Sequence, residues 1–555
     1  LFCCLFQVPR KMKEKLLQMN GQQRRIYIKQ FKKKRKANFD LTMRCKSIWE
    51  IIRRLFEYFK REKAISELYS LVKGKMKELI YAHDTSRVIE CLLSFAGPEM
   101  KEALFRELIP EIIRMAKSKY ARFFVVKMLK FGTGSQRKLV IESIRNHCVS
   151  LMRTTISASV LELIYNDYAN AQQRRDIESE FYGKEYCIFD ELAKQPNKIK
   201  AVVTNLYDNL IDIVTKPQLK LSLVHSLLQT FFEHCNKEER TEMIDSLKDH
   251  IAEIVHTNPG ANVALQCIWH GTAKERKVIV KNFKGLVVKA CKEKYGHHVL
   301  LGIFDSVDDT VKVNKYIVQE IGNHISEIIS DKYGINVLHY LVHPRDPRYF
   351  SKIQIELLKK GDSNEFTKKP TQDRFSELFK CISKPLGKFM AANIDELISS
   401  KHTNGFDKNT LVNISWFLDD LHSFKRSIDD EIRSICYNSI ATICAKEFIP
   451  LDMGKLHPIE NSISHFVISK LLKNDLKCEV KLSASLAALG KDKLVSWVCF
   501  RFCFHQIFIL LSKYLIFKEK ESKTKNLIKA FISTVALKKY TTSGASVLLS
   551  KLSDA

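Results

Sequence analysis

The chain is short of the residues that break regular structure, with 19 glycines and 12 prolines in 555 residues. So few turn formers disfavour sandwiches and barrels of many short strands, and the composition points to helices. The 15 cysteines contain no Cys-x-x-Cys pair and sit singly in apolar text, which reads as buried thiols of a reducing compartment and not as a disulfide framework. No glycine-rich phosphate loop, His-Glu-x-x-His or Gly-x-Ser-x-Gly pattern occurs, so the sequence offers no catalytic residues, no cofactor and no small-molecule substrate. The nearest approach to a metal pattern, Cys499, Cys503 and His505, has no fourth ligand at useful spacing, and no metal is expected. The one long apolar stretch, 494 to 517, is interrupted by Arg501, His505, Gln506 and Lys513, which argues against a membrane span. The opening LFCCLFQV is too short for a signal peptide.

Acidic charge is also in deficit. Ninety-one Lys and Arg face 62 Asp and Glu, a formal net charge of +29. A surface of that sign selects polyanions, and nucleic acid stands ahead of a membrane as the expected partner. The excess is uneven: residues 1 to 63 hold 19 basic against 5 acidic residues, including the run Lys32, Lys33, Lys34, Arg35 and Lys36. Ile48, Ile51, Ile52, Leu55, Phe56 and Phe59 then recur at helical spacing, so the basic head ends in an amphipathic helix with Arg53 and Arg54 on its other face.

Beyond Ala64 the text repeats. KYARFFVVKML begins at 119, KYGHHVLLGIF at 294 and KYGINVLHYLV at 332, while HDTSRVIECLL at 83 and NPGANVALQCI at 258 share the frame. Aligned, they place Arg87, Phe123, Asn262, His298 and Asn336 in one column, and the weaker segments ISASVLELIY and SLVHSLLQTFF add Ser159 and His225. The steps along this column are 36 to 38 residues, apart from the 66 between Ser159 and His225. Two apolar helical stretches per 36 residues predict a stacked helical solenoid whose second helices line one concave surface. The histidine pair 297 and 298 occupies positions held elsewhere by Ser and Arg, Arg and Phe, or Ala and Asn, so the column requires no metal or proton chemistry.

These residues resemble the Pumilio-homology, or PUF, family, whose repeats carry a Tyr-Gly-x-x-Val frame at the start of the second helix. The strings WEIIRR at 49, YAHDTSRVIEC at 81, CIWHGTAKERKVIVK at 267 and KYGINVLHYLVHPRDP at 332 are similar to its divergent nucleolar Puf-A branch, over most of 49 to 350. The resemblance implies an all-α, right-handed solenoid of PUF or armadillo type, bent or L-shaped, closed by a C-terminal CPL region. HPIENSISHFVISKLLK at 457 reads as a further repeat there and TTSGASVLLSKL as a terminal cap, while 497 to 525 departs from the pattern. The expected organisation is a head at 1–63, repeats at 64–170, an insertion at 171–220, repeats at 221–350 and the CPL-like region at 351–555. The resemblance also implies RNA binding, with double-stranded DNA as a second polyanion. It implies ribosome biogenesis, rRNA processing and translational regulation as roles, pre-ribosomal proteins as partners, and a nuclear, nucleolar location that the lysine run would serve as an import signal.

In base-reading members, three side chains of each second helix address one nucleotide, two at its edge and one stacking. Carried over, the trios are Ser86, Arg87, Glu90; Arg122, Phe123, Val126; Ala158, Ser159, Glu162; Val224, His225, Leu228; Ala261, Asn262, Leu265; His297, His298, Leu301; and Ile335, Asn336, His339. Only the first offers polar acceptors at the edge with a plane between them. Elsewhere Val, Leu or Ile stands where an edge contact is needed, and each buried base atom left unpaired costs about 1 to 3 kcal/mol. Low sequence specificity and phosphate binding follow, through Lys32 to Lys36, Arg53, Arg54, Arg87, Lys117, Lys119, Arg122, Lys127 and Arg153, with Phe123, His298 and Asn336 placed to stack or hydrogen-bond. The rival reading is an armadillo or HEAT scaffold for acidic protein partners, from which the 36-residue period and the Tyr-Gly frame differ.

Overall fold

The computed structural model describes residues 20, 22–23, 39–54, 58–183, 196–399, 430–447 and short stretches between 457 and 489. All the regular structure among them is helical. The chain forms two compact units, Leu1–Cys235 and Asn236–Ala555. The seven helices that carry the repeat column are α1 (His83–Phe95), α2 (Arg122–Phe131), α3 (Thr155–Leu163) and α4 (Ser222–His234) in the first unit, and α5 (Asn258–His270), α6 (Gly296–Ser306) and α7 (Gly334–Val342) in the second. Neighbours in this series pack side by side, α1 on α2 and α2 on α3, then α5 on α6 and α6 on α7.

A repeat has three helices where the sequence suggested two. The leading helix is followed by a middle one of four to six residues, as in Gly134–Ser143, Cys148–Met152 and then α3, or Ala273–Asn282, Val287–Lys292 and then α6. Four leading helices begin at reciprocal caps: Thr133 with Gln136, Asn170 with Gln173, Asn236 with Glu239, and Thr272 with Glu275. Each such box satisfies two backbone donors that the helix start leaves free. The break between leading and middle helix comes from a left-handed residue, at Gly74 (φ 75°), Asn146 (φ 65°) and Gly285 (φ 79°), which glycine and asparagine adopt at least cost.

That turn exposes backbone N–H groups, and the next repeat satisfies them. Glu107 accepts from the Gly74 and Met76 N–H groups at 3.2 and 3.1 Å. Glu180 accepts from Asn146 and Cys148 at 2.7 and 2.8 Å, and Glu320 from Gly285 and Val287 at 2.7 and 3.1 Å. One carboxylate therefore pins each of these turns to its neighbour. Glu180 lies in Ala171–Tyr182, so the stretch expected as an insertion opens with a helix that behaves as the leading helix of a repeat. The helix Pro196–Val214 then precedes α4.

Burial fixes the register of the column. After each column residue the first, second, fifth and sixth positions are buried: Val88, Ile89, Leu92 and Leu93 after Arg87, or Phe124, Val125, Met128 and Leu129 after Phe123. Each such side chain contributes about 1.5 to 3 kcal/mol of transfer free energy. In α4 the same set is Leu227, Leu228, Phe231 and Phe232, which makes Ser226 the column residue and corrects the assignment of His225. His225 is fully buried, with its ring Nε2 donating to the Leu219 carbonyl at 2.7 Å. A hydrogen-bonding core histidine thus stands where the spacing predicts a surface position.

In the first unit Phe39–Arg54 packs on α1, burying Ile48 and Ile52 and leaving Ile51 49% exposed, contrary to its expected place on the apolar face. In the second unit α6 is buried all round. Gly302 admits Leu265 where a β-carbon would stand 2.3 Å from its Cδ2, and the long helix Thr371–Ser399 lies against α6 and α7. The buried Arg374 of that helix donates to Asp308 Oδ1 at 3.1 Å and to the Lys369 carbonyl at 3.1 Å. Asp309 caps Thr310–Val313 through the Lys312 N–H. Lys32 to Lys36, the stretch 494–517 with Cys499, Cys503 and His505, most of 457–473 and the expected cap near the C-terminus lie outside the described residues. Among the described residues nine cysteines are free thiols, seven of them buried, and no helix is long and apolar enough to cross a membrane.

Replacing Glu320 with Ala strips the acceptor from two backbone donors. Unfolding in urea is expected to lose about 2 to 3 kcal/mol of stability, with Glu320→Gln intermediate because it keeps one acceptor. An unchanged midpoint for both variants would show that the clamp does not couple the repeats.

Candidate nucleic-acid interface

The first unit carries an open column. Arg87 and Ser159 are exposed and Phe123 is 47% exposed, one on each of α1, α2 and α3. Arg122 joins two of these helices: its guanidinium lies 4.7 Å from the Phe123 ring centroid, and its Nη1 donates to Ser159 Oγ at 3.2 Å. A ring with a cation on one side and solvent on the other is a stacking platform for any base, since every base has a π face. Along the turns that lead into α2 and α3 stand the exposed Lys117, Lys119 and Arg153. Lys117 Nζ donates to Ser150 Oγ of the next repeat at 3.2 Å, and Lys119 Nζ rests 5.7 Å from the Tyr120 ring. Arg114 belongs to the same edge and was not expected from the sequence. Its guanidinium covers the Tyr81 ring at 4.7 Å, and its side chain is 75% exposed. Arg53 and Arg54 are exposed at the end of Phe39–Arg54, Arg53 lying 4.9 Å from the Trp49 ring.

The acceptors that a base reader would need face inward. Ser86 is 1% exposed, and its hydroxyl lies 3.0 Å from Glu90 Oε1 and 3.2 Å from the Tyr120 carbonyl, so of the first trio only Arg87 meets solvent fully. Glu90 is half-buried, and desolvation pushes its carboxyl up despite the Ser86 hydroxyl and the charges of Lys127 and Arg87. Lys127 is turned to the neighbouring helix, donating to Ser94 Oγ at 3.1 Å and the Glu90 carbonyl at 3.4 Å. Glu162 accepts from the Ser222 and Leu223 N–H groups at 2.7 and 3.3 Å and so caps α4. In the first three trios both carboxylates are already satisfied by the protein.

In the second unit the column is covered by the chain that follows it. Gln354 Nε2 donates to His298 Nε2 at 3.0 Å, and the ring of Tyr349 stacks on His339 at 4.3 Å and on His343 at 5.6 Å. Arg345 holds this cover down. It donates to the buried Asp305 at 2.8 Å and to Asp362 at 2.7 Å, in a left-handed backbone conformation (φ 56°) that a non-glycine residue adopts only when its surroundings enforce it. Gly361 lies against the indole of Trp269, and Arg276 donates to Asn364 and Thr367, each at 2.9 Å. His298, expected to meet nucleic acid, therefore meets Gln354 instead, and Asn336 is half-buried beside it. The signal that could have announced the cover is the box Ser351-x-x-Gln354, a helix start directly behind the last repeat, whose glutamine is fixed by accepting from the Ser351 N–H.

Among the described residues no three His, Cys, Asp or Glu side chains converge as metal ligands.

The chain matches the family described as NOP9-like PUF repeat domain over residues 76–363 and the CPL (NUC119) domain over 330–481. It is 42% identical to Pumilio domain-containing protein 12 of Caenorhabditis elegans over 98% of this chain and 72% of that protein. It is 33% identical to Pumilio homolog 3 of Homo sapiens over 93% of this chain and 80% of that protein. Among solved structures, human Puf-A superimposes with a TM-score of 0.77 at 32% identity, covering 93% of this chain and 99% of that one. Human Puf-A in complex with DNA gives 0.75 at 32% identity, covering 93% and 100%.

Burial and the charge of His297 push His298 down to about 4, and burial with the charge of His343 pushes His339 down to about 3. Both fall below the ordinary histidine value near 6.5. Because the unfolded chain binds these protons first, the stability that these two histidines contribute is complete above about pH 6.5 and declines as pH falls towards about 4, a loss that outweighs the opposite effect of buried Asp305, whose carboxyl is pushed up to about 6. Denaturant midpoints measured across this window should fall with acidification. His339→Phe, which keeps the stack on Tyr349 and removes a titrating group, should flatten the fall; an equal slope in wild type and variant would contradict the assignment.

Proposed function

Since the chain belongs to the PUF repeat family and carries a CPL domain, we propose that it is an RNA-binding protein that holds the phosphate backbone with little regard to sequence and performs no catalysis. The observation that carries this reading is the open face of α1 to α3, where Arg87 and Arg122 share the column with the exposed Phe123 ring and Lys117, Lys119 and Arg153 stand exposed on the turns leading into α2 and α3, while Ser86, Glu90 and Glu162 are engaged within the protein. Arginine and lysine need only charge and reach to hold a phosphate, and a base stacked on Phe123 is accepted whatever its identity. The cover on His298 and His339 removes α6 and α7 of the second unit from base reading. DNA, double-stranded in the reading proposed here, shares the same backbone chemistry, and the complex of human Puf-A with DNA supports DNA as a second ligand.

Ribosome biogenesis, with rRNA processing and translational control as its readouts, and a nuclear, nucleolar location are part of the proposal. They rest on the family resemblance and on the basic run Lys32 to Lys36, which has the composition of an import signal. Pre-ribosomal proteins are the protein partners this role implies.

Single-stranded RNAs of unrelated sequence should bind with affinities within about tenfold of one another, in complexes that weaken steeply with salt. Arg87→Ala combined with Arg122→Ala should lower the slope of log affinity against log salt by about 1.4, at about 0.7 per lost contact. A salt-insensitive complex confined to one sequence, or tight binding to an acidic protein with no RNA shift at physiological salt, would contradict the reading. Crosslinking in cells should recover precursor ribosomal RNA; recovery of a narrow class of mRNA alone would remove the ribosomal role.

A further inference from the structure

The second unit keeps its column covered, yet the turns beneath that column are exposed and basic. In KYG at 294–296 and 332–334 the lysine precedes a tyrosine and then the start of α6 or α7. Lys294 and Lys332 are exposed. Lys294 Nζ lies 4.9 Å from the Tyr295 ring centroid and Lys332 Nζ 5.4 Å from that of Tyr333. The other side of the Tyr333 ring is fixed by the preceding repeat, where His297 stacks on it at 5.3 Å and 21°. Lys119 on Tyr120 repeats the geometry in the first unit, where the same tyrosine meets His83 edge-on at 5.0 Å. Each ammonium is thus held against a ring, and for Tyr333 and Tyr120 that ring is itself fixed by the preceding repeat, which reduces the side-chain freedom lost when the lysine takes an anion.

The carboxylates beside these lysines are directed elsewhere. Asp331 accepts from the Tyr333 and Gly334 N–H groups at 2.8 and 2.9 Å, and Glu293 lies 3.9 Å from Lys289. Lys292, in contrast, is paired with Glu327 at 2.7 Å and is spent. Helices packed side by side lie roughly 8 to 10 Å apart, so the two turns present their charges at a spacing that one nucleic-acid strand can follow.

We propose that Lys294 and Lys332 form a second phosphate-binding ridge that takes the backbone of a single RNA strand at the turns of the second unit, with no contact to the bases. This inference rests on the reading of the chain as a backbone binder and extends it to residues that the column does not contain. The test is the anisotropy of a labelled, unstructured RNA of about 30 nucleotides, titrated with the full chain from about 50 to 200 mM salt. Lys294→Gln with Lys332→Gln should lower the salt slope by about 1.4, as two single-strand phosphate contacts would. Lys274→Gln with Lys281→Gln, exposed lysines on the leading helix Ala273–Asn282 with the same change in charge, should leave the slope where it was. Lys294→Arg with Lys332→Arg should retain it, and circular dichroism should show all three variants equally folded. A turn pair that binds like wild type, or a control pair that loses as much, overturns the ridge. If wild type does not bind this RNA, or if Arg87→Ala with Arg122→Ala has no effect on it, the backbone reading itself has failed.

Discussion

A glutamate that reaches from one repeat to the turn of the one before it is the interaction on which the rest depends. The left-handed residues Gly74, Asn146 and Gly285 separate leading from middle helix and leave backbone N–H groups without a partner in their own helix. Glu107, Glu180 and Glu320 each receive two of them. A charged acceptor on two donors is directional in a way that apolar packing is not, and it fixes how far one repeat is displaced along its neighbour. Glu107 sets that displacement between the repeats of α1 and α2, so that Arg87 and Phe123 fall on adjacent helices, and the Arg122 bond to Ser159 carries the column on to α3. Without the clamp the apolar sets behind them could still pack, but in more than one register.

The same scaffold yields two different surfaces because of what comes next in the chain. On α1 to α3 the column remains open, with Arg122 against the exposed Phe123 ring and further basic residues on the adjoining turns. After α7 the chain turns at Arg345 and lays Tyr349 and Gln354 on the histidines that would otherwise face a ligand. In the covered unit a stacked tyrosine and a glutamine amide satisfy groups of the kind that bases satisfy in a reading repeat. The buried pair of Arg345 and Asp305 keeps this arrangement closed, since uncovering it would leave a carboxylate unpaired in an apolar site.

Much of this was legible in the sequence. The 36-residue period, the Tyr-Gly frame and the scarcity of glycine and proline led to a helical solenoid, and the apolar side chains at Val, Leu and Ile positions of the trios argued against base reading. Three features were not legible, each for a physical reason. The middle helices are only four to six residues long, too short for a helical period to register. The glutamate clamps join residues 31 to 35 apart in sequence, from Met76 to Glu107 at the least and Gly285 to Glu320 at the most, and a surface glutamate looks the same whether it is clamped or solvated. The shift from His225 to Ser226 arose because histidine is polar enough to suggest an exposed site, while its ring here bonds to a backbone carbonyl in the core. Ser86 misled in the same way, its hydroxyl being engaged inside the protein. The capping boxes at Thr133, Asn170, Asn236, Thr272 and Ser351 are a local signal that would have located the leading helices, including the one inside the expected insertion.

Hydroxyl-radical footprinting of the full chain with and without a single-stranded RNA tests most directly whether the open column binds and the covered one does not. The account predicts that Phe123 is reactive in the free protein and protected by RNA, while His298, His339 and Tyr349 stay weakly reactive in both states. Protection confined to His298, His339 and Tyr349, with Phe123 unchanged, would contradict it.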